Sequence, residues 1–92
     1  MNELELEWTE YMQYRASLRG FDLVRIADLV RHSPERYVDD TTGRLLAVGK
    51  CQGQLVLVPY EFDGRFIRPV TVHATNRTQI EARIKAGRYR HE

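Results

Sequence analysis

The chain has 92 residues, 42% of them hydrophobic and 29% charged, with a formal net charge of +1. That length predicts one domain over residues 1–92, with a core small enough that its stability is expected to be marginal or supplemented by a partner. No apolar run approaches the roughly 20 residues of a membrane-spanning helix, which excludes that class. The start, Met1-Asn2-Glu3-Leu4-Glu5, is acidic and polar, the reverse of a secretory signal, so the cytoplasm is the expected compartment. A single cysteine, Cys51, excludes an internal disulfide and a cysteine-built zinc site. The small net charge hides a gradient: residues 1–46 carry six basic and nine acidic side chains, residues 47–92 eight and four. Such asymmetry is compatible with a C-terminal half that meets a polyanion or an acidic protein.

Leu4, Leu6 and Trp8 alternate with Glu3, Glu5 and Glu7, which predicts a first strand with one apolar and one acidic face. Thr9 is a candidate cap for a first helix, in which Tyr11, Tyr14 and Leu18 share a face with Arg15 and Arg19 beside them. Gly20 ends that helix. Asp22 can cap a second helix whose buried stripe is Leu23, Ile26, Ala27 and Val30, with Arg25, Asp28 and Arg31 outside it. Ser33-Pro34 stops it, because the residue before a proline is pushed out of the helical region. Arg36-Tyr37-Val38-Asp39 reads as a short strand leading into the turn Thr41-Thr42-Gly43.

The stretch from Arg44 to Ala74 reads as three more strands: Leu45 to Val48, Leu55 to Phe62 and Phe66 to His73. Gln52-Gly53 and Asp63-Gly64 punctuate them, each offering the positive φ that tight hairpins need. Pro59 and Pro69 fall inside strands and cannot donate to a ladder, so each requires an edge, an outward register or a bulge, the bulge being preferred. Thr75 is the expected cap of a third helix from Asn76 to about Ala86. Ile80 and Ile84 form its apolar edge, Ala82 and Ala86 allow close packing, and Gly87 ends it. The tail, Arg88-Tyr89-Arg90-His91-Glu92, is expected to be partly mobile. The order β-α-α-β-β-β-β-α predicts an α+β domain with a small, mostly antiparallel sheet, two N-terminal helices and one C-terminal helix.

Most enzyme templates are absent: no phosphate-binding loop, no dinucleotide fingerprint, no metalloprotease helix and no nucleophile elbow. His32, His73 and His91 have no metal-like spacing, and neither metal nor cofactor is expected. Cys51 beside the Gln52-Gly53 turn reads as an inert thiol. The set with chemical content is basic and aromatic. RNA can be cut without metal if a base takes the 2′-hydroxyl proton, cations hold the phosphate oxygens and the leaving oxygen gains a proton. His73, Arg68 and Arg77 are the candidate catalytic residues, His73 for proton transfer and the arginines as a bidentate phosphate clamp. Lys50, Arg65, Arg83, Arg88, Tyr89 and Arg90 are candidates for RNA binding. Each has a plainer reading. Arg77, Glu81 and Lys85 at i, i+4 and i+8 fit a solvated, ion-paired helix face. His73 fits a hydrogen-bonded structural histidine, and the tail arginines fit solubilising charges.

Taken together, the early Trp8, Leu18-Arg19-Gly20-Phe21-Asp22, Gly43-Arg44-Leu45-Leu46-Ala47-Val48-Gly49 and Ala74-Thr75-Asn76-Arg77 resemble the BrnT-like toxins of bacterial type II toxin–antitoxin pairs. These belong to the RelE/ParE superfamily. The chain also resembles neighbouring small uncharacterised domains with a similar strand core. The resemblance covers roughly residues 4 to 86. It implies a ribonuclease that slows translation by metal-independent cleavage, and a cognate antitoxin that binds the toxin and joins it in repressing promoter DNA. Ala74, Thr75 and Arg77 match the family pattern at the last helix. Thr78 stands where an acidic residue is common, and His73 where many members have arginine. The alternative function is a non-catalytic module of the same fold that binds nucleic acid or protein. A homodimer is compatible with either.

Overall fold

A computed structural model describes residues 5–92, so Glu3 and Leu4 of the expected first strand, and the acidic start at residues 1–4, lie outside the described residues. In chain order the elements are β1 (Glu5–Leu6), α1 (Glu10–Arg19), α2 (Leu23–His32), β2 (Glu35–Asp39), β3 (Leu45–Cys51), β4 (Gln54–Phe62), β5 (Phe66–Pro69), β6 (His73–Ala74), α3 (Arg77–Lys85) and β7 (Tyr89–His91). The fold is α+β with a mostly antiparallel sheet. The expected order holds, the last expected strand being divided into β5 and β6 and a further strand following α3. Along the sheet the strands run β1-β5-β4-β3-β2-β7, with β6 also on β4. Only β1 and β5 pair in parallel among the described residues. No helix among them is long and apolar enough to cross a membrane.

Local chemistry explains the punctuation. Cys51 pairs with Gln54, leaving a two-residue loop in which Gln52 and Gly53 have φ of 53° and 82°. Two successive left-handed residues twist the chain as an antiparallel ladder requires. The Asp63 carboxylate accepts from the amides of Arg65 and Phe66 at 2.9 and 2.8 Å, closing the next hairpin. Thr9 caps α1 by accepting from the Met12 amide at 3.1 Å, and Asp22 caps α2 by accepting from Val24 at 2.9 Å. For α3 the cap is Asn76, not Thr75: the Asn76 side chain accepts from Gln79 N at 2.9 Å. The Thr75 amide is already engaged with the Leu55 carbonyl at 3.0 Å, as an extension of the sheet.

β4 is buried on both sides, Val56, Leu57 and Val58 in succession having 0%, 6% and 0% exposure. On one face Ala47, Val56, Val58, Tyr60 and Ile67 pack against Met12 and Ala16 of α1 and Ile26, Leu29 and Val30 of α2. On the other, Tyr37, Leu46, Val48 and Leu57 meet Ile80 of α3 and Tyr89 of β7. Of the stripe expected in α2, Ile26, Ala27 and Val30 are buried and Leu23 is half-buried. In α1 the outcome differs: Met12 and Ala16 face the core, while Tyr11, Tyr14 and Leu18 are exposed.

The prolines lie where a donor is not needed. The Pro59 carbonyl accepts from the Val70 amide at 2.8 Å, so this edge of Pro59 faces the chain between β5 and β6. An N–H there would point the same way, since both groups of one strand residue share an edge. The neighbouring strand is interrupted just there, with Pro69 as the last residue of β5. The prolines are thus accommodated by a break in the neighbouring strand, where the sequence favoured a bulge.

The tail is ordered as a strand. Tyr37 pairs with His91, Val38 with Arg90 and Asp39 with Tyr89. Tyr89 supplies the reason: it is 9% exposed and its ring stacks on Tyr37 at 6.0 Å. Tyr89→Ala is therefore expected to lower stability by about 2–3 kcal/mol, read as a lower urea midpoint. An unchanged midpoint would show that β7 contributes nothing to the core.

Candidate functional site

Beside α3 the sheet leaves a cavity of about 360 Å³, floored by Leu46, Leu57 and Pro59. That is within the range of small-ligand sites. Each wall follows from register. His73 pairs with Leu57, and cross-strand partners share a face, so His73 stands on the α3 side. Ile80 is buried at 2%, and Arg83, three residues on, lies on the same side of the helix. Arg44 precedes Leu46 by two positions and lines the cavity with it. Arg88 reaches in from the start of the tail.

The charges in this cavity are unequally committed. Arg88 donates to both Asp39 oxygens at 3.3 Å, and Asp39 also accepts from the Thr41 amide at 2.9 Å. Burial alone would raise the Asp39 pKa, but the Arg88 bond, the Thr41 amide and the Arg88 charge outweigh it and hold the pKa below the ordinary range. Neither Arg44 nor Arg83 has a carboxylate partner among the described residues. His73 keeps one side in solvent, yet the protein packed around its ring, then the charges on Arg15 and Arg19, push its pKa below the usual value. The lowered pKa favours the neutral imidazole, the form that can accept a proton.

Of the residues singled out in the sequence, His73, Arg83, Arg88 and Tyr89 meet at this cavity. The others do not line it. Arg68 is held by Glu7 at 2.5 Å and Glu61 at 3.2 Å. Arg77 is chelated by both Glu35 oxygens at 2.8 and 2.7 Å. Glu35 in turn accepts from the Tyr37 hydroxyl at 2.6 Å, and burial together with this carboxylate pushes the Tyr37 pKa up to about 12. Arg90 is held by Asp40 at 2.8 Å, and Arg65 lies over the Phe66 ring at 5.3 Å. Lys50 is exposed beside the C-terminal end of α2. Tyr89 touches the cavity, but its ring is taken by Tyr37, so it forms core and not a free stacking platform.

Arg44, Thr71 and Asp39 were not singled out. Period two from Leu46 would have found Arg44. Thr71 and Asp39 carried no such signal, because their places depend on the break between β5 and β6 and on the pairing of β7. Among the described residues no group of three or more His, Cys, Asp or Glu side chains could hold a metal ion. The chain matches no family model, no curated protein and no solved structure.

The Asp39 pair makes a signed prediction. With its folded pKa below the unfolded value of about 3.9, Asp39 stabilises the fold fully above roughly pH 4 and loses that contribution as pH falls through the folded pKa. Asp39→Asn is expected to lower stability at neutral pH and to flatten the decline below about pH 4, measured by urea unfolding across that range. An unaltered acid limb would show that the pair does not couple to folding.

Proposed function

We propose that this protein is the toxin of a toxin–antitoxin pair and cleaves RNA in the cytoplasm without a metal. The observation that carries the reading is one cavity lined by the imidazole of His73, whose pKa is lowered, and by two guanidinium groups, Arg44 and Arg83, without carboxylate partners among the described residues. The short motifs that resemble BrnT-like toxins, Gly43 to Gly49 and Ala74 to Arg77, point the same way. His73 takes the proton from the 2′-hydroxyl, and the 2′-oxygen attacks phosphorus. Arg44 and Arg83 donate to the non-bridging oxygens as charge builds on them. The bond to the 5′-oxygen breaks, leaving a 2′,3′-cyclic phosphate, and the 5′-oxygen takes a proton from the imidazolium or from water. Arg68 and Arg77, neutralised by carboxylates, belong to the frame. The partner is a cognate antitoxin that covers the cleft, with promoter DNA reached through it.

A second reading has its own observation. Among the described residues His73 is the only histidine, and Asp39 the only carboxylate, lining the cavity, and Asp39 is held by Arg88. A basic cleft with one free proton acceptor also suits a module that binds nucleic acid without breaking a bond.

Induction in bacteria is expected to arrest growth and shorten RNA. His73→Ala is expected to reduce cleavage by purified protein by about 10²–10⁴-fold, and Arg83→Ala to weaken it as well. Because the His73 pKa is lowered, the rate is expected to be level above roughly pH 6.5 and to fall only in more acid solution. Normal growth with intact RNA would overturn the toxin reading. RNA bound but uncut would establish the second.

A further inference from the structure

The exposed face of α1 is chemically continuous with the cleft. Tyr11, Tyr14 and Leu18 are 57%, 60% and 62% exposed, and at 100° per residue they fall within about 60° of arc. Arg15 and Arg19 border this stripe on the side that turns toward the sheet. The Arg15 Nε donates to the Thr71 hydroxyl at 3.3 Å, and Thr71 and His73 both line the cavity. Thus cavity, Thr71, arginines and tyrosines follow one another across the surface.

We propose that the outer face of α1 is a stacking subsite for single-stranded RNA, in which Tyr11 and Tyr14 take the bases flanking a phosphate bound in the cavity. The inference rests on the reading of the cavity as an RNA phosphate site. Two features choose this occupant over an acidic protein. A strand whose phosphate sits beside His73 must continue past the cavity rim, and Arg15 and Arg19 stand at that rim to meet its next phosphates. Beyond them are two phenol rings with open faces, which stack on any base. Within the stripe itself there is no carboxylate; Glu10, one turn before Tyr14, borders it on the flank away from Arg15 and Arg19, and Gln13 and Ser17 beyond it are neutral.

The test is the affinity of an uncleavable 2′-O-methyl octanucleotide for the wild type and for the double variant Tyr11→Ala/Tyr14→Ala, by fluorescence anisotropy. Both side chains are exposed, so thermal unfolding is expected to be unchanged. Affinity is expected to fall at least about 10-fold, while an abasic octanucleotide binds both proteins alike. Equal binding of the normal oligonucleotide by both proteins overturns the subsite and leaves the cavity reading standing. If the wild type binds neither oligonucleotide, the cavity reading itself fails. Polyglutamate binding that is lost in the double variant, with octanucleotide binding intact, assigns the stripe to an acidic protein and overturns the proposal.

Discussion

Burial of β4 on both faces is the constraint from which the rest of the architecture follows. A strand with Val56, Leu57 and Val58 all withdrawn from water needs cover above and below. One short chain therefore places α1 and α2 on one side and α3 on the other. It also needs a neighbour along each edge. β3 supplies one edge without interruption, while β5 and β6 share the other around the gap at Pro59. That gap does two things at once. It removes the demand for a donor that proline lacks, and it turns the chain so that Thr71 and His73 arrive beside α3.

Electrostatics divide the cations into two populations. Glu7 holds Arg68, Glu35 holds Arg77, Asp39 holds Arg88 and Asp40 holds Arg90. In every one of these pairs the acid comes from the first half of the chain and the base from the second. The charge gradient along the sequence is thus largely closed inside the fold, and it points to a polyanion less directly than its sign suggests. Arg44 and Arg83 remain without carboxylates among the described residues, and both line the cavity. Guanidinium groups left uncompensated in a cleft make it locally positive, beside the partly exposed imidazole of His73.

The fold was legible in residues with local signals. Gln52-Gly53 marked a hairpin, Thr9, Gly20 and Asp22 bounded helices, and alternation marked the strands. The site was legible only in part. His73 and Arg83 could be singled out by type and position, but whether an arginine is free depends on pairings 61 residues apart for Glu7 and Arg68, or 42 for Glu35 and Arg77. No local pattern carries that information. Tyr89 failed for a related reason: in a terminal Arg-Tyr-Arg it reads as a mobile aromatic, and only the partner ring of Tyr37 makes it core.

The most instructive ambiguity is in α1, where two faces compete for the sheet. Tyr11, Tyr14 and Leu18 form the larger apolar stripe, and burying them would remove more apolar surface from water. The protein instead buries Met12 and Ala16, at 0% and 1% exposure. Ala16 permits a close helix–sheet approach that two tyrosines would prevent. This face also brings Arg15 to Thr71, at the rim of the cavity. Folding by maximal burial would have turned the helix the other way and carried both α1 arginines off the cleft. The helix thus leaves its larger aromatic stripe in solvent and keeps Arg15 against Thr71, at the rim of the cavity.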